Sequence, residues 1–124
     1  VRKEVKEWME KAEKDLKRAE FLLSVGDFED CAFHAHQAAE KALKALYILK
    51  FKRLWKTHDL EMIASTLKAQ KRIIETSRKL NPHYIETRYP TKTEYNEEIA
   101  TNAIDNAKKV IKWVKEKLKK LKKK

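Results

Sequence analysis

The chain has 124 residues, 42% of them apolar and 40% charged, with a formal net charge of +11 and a single cysteine. That length makes one domain, able to bury roughly two-thirds of its unfolded surface. So many apolar residues beside so many charges exclude disorder and a membrane protein, and one cysteine excludes an internal disulfide or a cysteine-based zinc site. No window holds about 18 uninterrupted apolar residues, and the first residues (VRKEVKEW) contain no signal-peptide apolar run, so a soluble, cytoplasmic protein is expected.

The first predicted helix covers about residues 2–25. Val5, Trp8, Met9, Ala12, Leu16, Ala19, Phe21, Leu22 and Leu23 recur at helical spacing, with Lys and Glu on the opposite face. Gly26 ends it and Asp27 is placed to cap the next helix. That second helix, about 28–50, has a stripe of Ala32, Ala35, Ala38, Ala39, Ala42 and Ala45 joined by Leu43, Leu46 and Leu49. Small residues permit close approach of another helix, which makes this the expected central helix and the expected seam of a homodimer.

After a break at Phe51–Lys56, Thr57 is expected to cap a short third helix with Asp59 in its first turn and Leu60, Ile63, Ala64 and Leu67 on its apolar face. A fourth helix is predicted near Lys71–Leu80. The proline at 82 should push Asn81 out of the α region, and residues 81–92 read as the longest irregular stretch. A last helix, about 94–120, carries Ile99, Ala103, Ile104, Ala107, Val110, Ile111, Val114 and Leu118. The fold class that follows is all-α: one domain over 1–124, an up-down bundle of four to five helices, three long and two short.

Charge is unevenly placed. Lys115 to Lys124 hold seven lysines and one glutamate, a basic C-terminal tail with more than half of the net charge. Lys41 to Lys56 contain five lysines and Arg53 with no acid. A phosphate-bearing partner and a merely solvated lysine face fit these stretches equally. Cys31, among small apolar residues, reads as a core thiol. The four histidines form no metal-binding spacing, and His34 and His36 point to different helix faces, so neither a metal nor a cofactor is expected.

Three runs carry a resemblance. The helix CAFHAHQAAEKALKAL (Cys31–Leu46), then Thr57-His58-Asp59-Leu60, then Tyr84-Ile85-Glu86-Thr87-Arg88-Tyr89-Pro90 resemble, in this order, the HEPN family. The resemblance implies a dimeric helical bundle with a cleft between protomers, and a minimal nucleotidyltransferase as partner in a toxin–antitoxin pair. Nuclease members cut RNA without metal, using an arginine followed by four to six residues and a histidine. That spacing occurs here as Arg78–His83, followed by Tyr84, and as the alternative pair Arg53–His58.

An i, i+5 pair diverges by about 140° on an unbroken helix, and each pair here crosses a helix end. The chemistry would be a histidine, ordinarily titrating near neutrality, moving the 2′-hydroxyl proton while arginine stabilises the phosphorane. His58, Asp59, Tyr84, Arg88 and Tyr89 are the candidate nucleotide- or RNA-binding residues, aromatics for stacking and arginine for phosphate. His58 can equally serve to pack the third helix on the second, and Arg88 to clamp the loop to a carboxylate such as Glu40. The competing functions are a non-catalytic dimeric interaction module and a tail-mediated, nonspecific DNA binder.

Overall fold

The computed structural model describes residues 2–122, which form six helices: α1 (Arg2–Ser24), α2 (Phe28–Phe51), α3 (Leu60–Thr66), α4 (Lys71–Leu80), α5 (Pro82–Glu86) and α6 (Glu97–Lys122). No strand occurs among the described residues. None of these helices is long and apolar enough to cross a membrane.

Local chemistry explains the boundaries. Gly26, at φ 79°, closes α1: its N–H donates to the Leu23 carbonyl and that of Asp27 to the Leu22 carbonyl, 2.9 Å. Asp27 then caps α2 by accepting from the Asp30 N–H. The cap of α3 lies two residues later than expected: Asp59 accepts from Met62 N–H, while Thr57 Oγ1 accepts from Asp59 N–H. Helix α6 likewise starts at Glu97 rather than near 94, because Asn96 Oδ1 accepts from the Ile99 N–H.

Helix α3 ends in the same geometry as α1, but with Lys68 at φ 59° where glycine is usual; Ala69 N–H donates to the Ala64 carbonyl, 3.0 Å. Asn81 departs from expectation. It keeps αR angles (φ −52°, ψ −45°) despite the following proline. Its side chain offsets the crowding: Oδ1 accepts from Leu60 N–H at 2.8 Å, and Nδ2 donates to Asp59 Oδ1 at 2.9 Å. Pro82 can then serve as the first residue of a one-turn helix, α5, inside the stretch expected to be irregular.

Ion pairs fix the directions. Glu13–Lys115 and Glu20–Lys108 join antiparallel α1 and α6, and Asp15 of α1 pairs with both His34 and Lys41 of α2. Cys31 lies against Ala100, and Leu46 and Lys50 share a pocket with Trp113 and Lys117, so α2 and α6 run parallel. The segment α3–α5 makes the return crossover, with α4 packed on α6.

All six alanines of the α2 stripe are fully buried within this single chain. The expectation of a homodimer seam through that face is therefore corrected: α1 and α6 already cover the central helix. Phe21, expected on the buried stripe of α1, is 64% exposed. Trp113 is buried, while Trp8 and Trp55 are partly buried against the core. Lys115 to Lys122 are not an appendage, since they continue α6.

Candidate functional site

The site forms where the crossover lies on α2. Glu40 and Lys44 are one helical turn apart, and an isolated pair of this kind would be ordinary surface chemistry. Here both are buried, their side chains only 5% and 6% exposed, with Lys44 Nζ donating to Glu40 Oε2 at 3.1 Å. The other carboxylate oxygen lies 2.8 Å from His58 Nδ1, and the His58 side chain remains 44% exposed. A carboxylate can only accept, so His58 donates through Nδ1 and presents Nε2 outward.

His58 is held from behind as well. His36, fully buried on α2, has its Nε2 3.2 Å from the His58 carbonyl oxygen. Burial pushes the His36 pKa below its ordinary value, against the opposing pull of Glu40. His36 is therefore neutral at neutral pH and gives its one N–H to that carbonyl.

Tyr84 of α5 completes the surface. Its ring stacks on His58 (centroids 4.0 Å apart, planes at 15°), and the Arg88 guanidinium carbon lies over the Tyr84 ring at 4.9 Å. Phe33 and His36 back the same tyrosine at 6.4 and 5.4 Å. The result is a ledge of imidazole, phenol and guanidinium, three groups that stack on bases or bind phosphate.

Of the candidates named by sequence, the structure gathers His58, Tyr84 and Arg88. Asp59 sits beside them but is used by Met62 N–H and Asn81, so it is a cap. Tyr89 is 56% exposed. Arg88 does not clamp Glu40, whose oxygens are taken by Lys44 and His58.

The two Arg–His pairs selected by spacing engage separate partners. Arg78 bonds Glu75 on the exposed side of α4, while His83 Nδ1 lies 2.8 Å from the Tyr95 hydroxyl. Burial, helped by His36, pushes the His83 pKa down to about 4, and burial with the charges of Glu86 and Glu29 pushes Tyr95 up to about 12. Both are neutral near pH 7, so the imidazole tautomer sets which of the two donates. Arg53 Nε donates to the Tyr47 hydroxyl at 3.3 Å, away from the Glu40 contact of His58. Cys31 is fully buried with its thiol pushed up to about 11, chiefly by burial and then by Asp27, so it is inert as a nucleophile at neutral pH.

The HEPN domain family matches residues 5–118. The chain belongs to the HEPN family. It is 29% identical, over a 136-residue alignment, to MJ1304 of Methanocaldococcus jannaschii, a candidate toxin by name; the match covers 94% of this chain and 90% of that one. Among solved structures it resembles TT1696 of Thermus thermophilus (TM-score 0.84, 29% identity, covering 91% of this chain and 97% of that one). It also resembles ST0689, an archaeal HEPN homologue (TM-score 0.80, 28% identity, covering 91% and 96%). The Thermotoga maritima HEPN domain protein tm0613 shares the fold at 19% identity, with a TM-score of 0.75 over 91% and 98%.

Sequence reasoning named Glu40 only as a clamp for Arg88, and missed Lys44, His36 and Asn81 as parts of this HEPN site. A Glu-x-x-x-Lys on a helix carries no mark of burial. The only available signal was that both face the alanine-rich side of α2, where a charge needs a partner.

Proposed function

We propose that this HEPN protein binds RNA or a nucleotide on the His58–Tyr84–Arg88 ledge, as a toxin-like homodimer neutralised by a minimal nucleotidyltransferase. The observation that carries the reading is the stack itself: an exposed imidazole, oriented by a buried carboxylate, joined through tyrosine to an arginine. The name of the M. jannaschii relative supports the toxin half. In the catalytic version, a metal-independent endoribonuclease, His58 Nε2 takes the 2′-hydroxyl proton as that oxygen bonds to phosphorus, and Arg88 stabilises the phosphorane charge. The P–O5′ bond then breaks, the 5′-oxygen takes a proton from water, and a 2′,3′-cyclic phosphate remains.

The test is RNA binding and cleavage by the full chain, with and without EDTA. Tyr84→Ala should weaken binding by the roughly 1–3 kcal/mol typical of one stacked base, with Tyr84→Phe close to wild type. Cleavage should vanish in His58→Ala. Cleavage lost instead in Arg78→Ala and His83→Ala would favour the pair selected by spacing. Unchanged binding in Tyr84→Ala and Arg88→Ala would refute the ledge.

A second reading, a non-catalytic interaction module, draws on the exposed Met62, Ile85 and Tyr89. It predicts that Ile85→Asp breaks self-association in sedimentation while RNA binding is absent throughout.

A further inference from the structure

Ten residues along α2 from Glu40, about 15 Å at 1.5 Å per residue, a second concavity opens at the other end of the bundle. This pocket of about 320 Å³ lies between the end of α2, the α3–α4 turn and α6. Its apolar lining is Leu46, Leu67, Trp113 and Leu121; its charged lining is Lys50, Lys68, Lys117 and Lys120, with no carboxylate. None of these four lysines is in an ion pair among the described residues, unlike Lys41, Lys44, Lys108 and Lys115.

Two further features fall on residues that line the pocket. Trp113 is only 4% exposed, yet its indole N–H has no hydrogen-bond partner among the described residues, while Lys117 Nζ stands 5.9 Å from its ring. Most buried donors find a partner. Lys68 occupies the left-handed position that ends α3, where glycine would be free of strain. Non-glycine residues kept in such positions concentrate at functional sites.

We propose that this pocket is a second binding site, separate from the ledge, for an organic phosphate. The apolar body sits on the leucine and tryptophan floor, and a group bearing two or more negative charges is held by the four lysines. Four unpaired cations around an apolar floor repel one another until an anion enters, and an anion without an apolar body leaves the floor wet.

The experiment is calorimetric titration of the full chain with ADP, farnesyl diphosphate and inorganic pyrophosphate. At least one organic diphosphate should bind, at a site that survives Tyr84→Ala and Arg88→Ala, at least tenfold tighter than pyrophosphate. Preference for ADP assigns an aromatic body, and preference for farnesyl diphosphate an aliphatic one. Lys117→Glu/Lys120→Glu should weaken that binding at least tenfold, and Arg88→Ala should not alter it. Lys68→Gly should raise Tm yet weaken binding about threefold or more, whereas Lys52→Gly, which relieves a similar positive φ outside the pocket, should raise Tm alone.

Organic diphosphates that bind no tighter than pyrophosphate would overturn the proposal, as would binding that survives Lys117→Glu/Lys120→Glu. Binding abolished by Arg88→Ala would place the ligand on the ledge and overturn it too. An RNA-binding ledge that fails its own test leaves each of these outcomes readable.

Discussion

Replacing Glu40 by alanine removes the carboxylate paired with a nearly buried ammonium. The Lys44 side chain is 6% exposed and 3.1 Å from Glu40, so in the variant its charge stays in the protein without a counter-ion. Breaking one side of such a buried pair costs about 3–5 kcal/mol. At about 2.1 cal/mol/K per residue, 124 residues give an unfolding entropy of about 0.26 kcal/mol/K, so Tm should fall by about 10–20 °C.

Urea denaturation of Glu40→Leu, Lys44→Met and Glu40→Leu/Lys44→Met provides the double-mutant cycle. The double variant should recover most of the loss, because an apolar pair of similar volume carries no desolvation penalty. An RNA-cleaving ledge, as proposed above, should be inactive in it, since His58 has lost the acceptor that fixes its tautomer. A Glu40→Ala variant destabilised by less than about 1 kcal/mol, the upper range for an exposed pair, would refute the assignment of Glu40 as a buried anchor.

Acid should destabilise the protein through its histidines. His83 has its folded pKa lowered to about 4 and His36 is lowered as well, so below pH 6.5 the unfolded chain binds more protons than the native one. Stability is fully present above 6.5 and falls by up to about 1.4 kcal/mol per pH unit per histidine as pH drops towards 4. His83→Gln should flatten that slope in denaturation curves; an unchanged slope would count against burial as its cause. Asn81→Ala should cost about 1–3 kcal/mol, because it strips the partners from Leu60 N–H and Asp59 together. Asn81→Asp should not rescue it, since it places a carboxylate against Asp59. Equal stability of wild type and Asn81→Ala would show that the αR turn before Pro82 needs no support.

Much of the fold was legible because local chemistry decides it. Gly26 and Asp27 punctuate the first two helices, and the apolar spacing of Lys71–Leu80 gave α4 its bounds. The exceptions share one cause: tertiary partners outweighed a local rule. Asn81 stays helical before a proline because Asp59 and Leu60 hold its amide, and the alanine face is a core because α1 and α6 reach it first. At the site, the chain order of His58, Tyr84 and Arg88 was visible, but their convergence depends on where α5 docks. Glu40 betrayed its interior place only by facing the alanine stripe. Its neighbour Lys41 is equally charged and turns the other way, to Asp15.

The parallel pairing of α2 and α6 has a consequence for motion. Parallel neighbours cannot be joined by a short turn, so the chain must travel back, and the returning stretch supplies His58, Tyr84 and Arg88. Glu40 and Lys44 belong instead to the buried central helix, whose amides should exchange among the last. The whole ledge thus rides on the returning strap, while its anchor, Glu40, belongs to the three long helices, and the two parts need not open together. Amide exchange across Thr57–Thr87 should then run faster than across Ala38–Leu46, and a ligand seated on the ledge should slow the strap first.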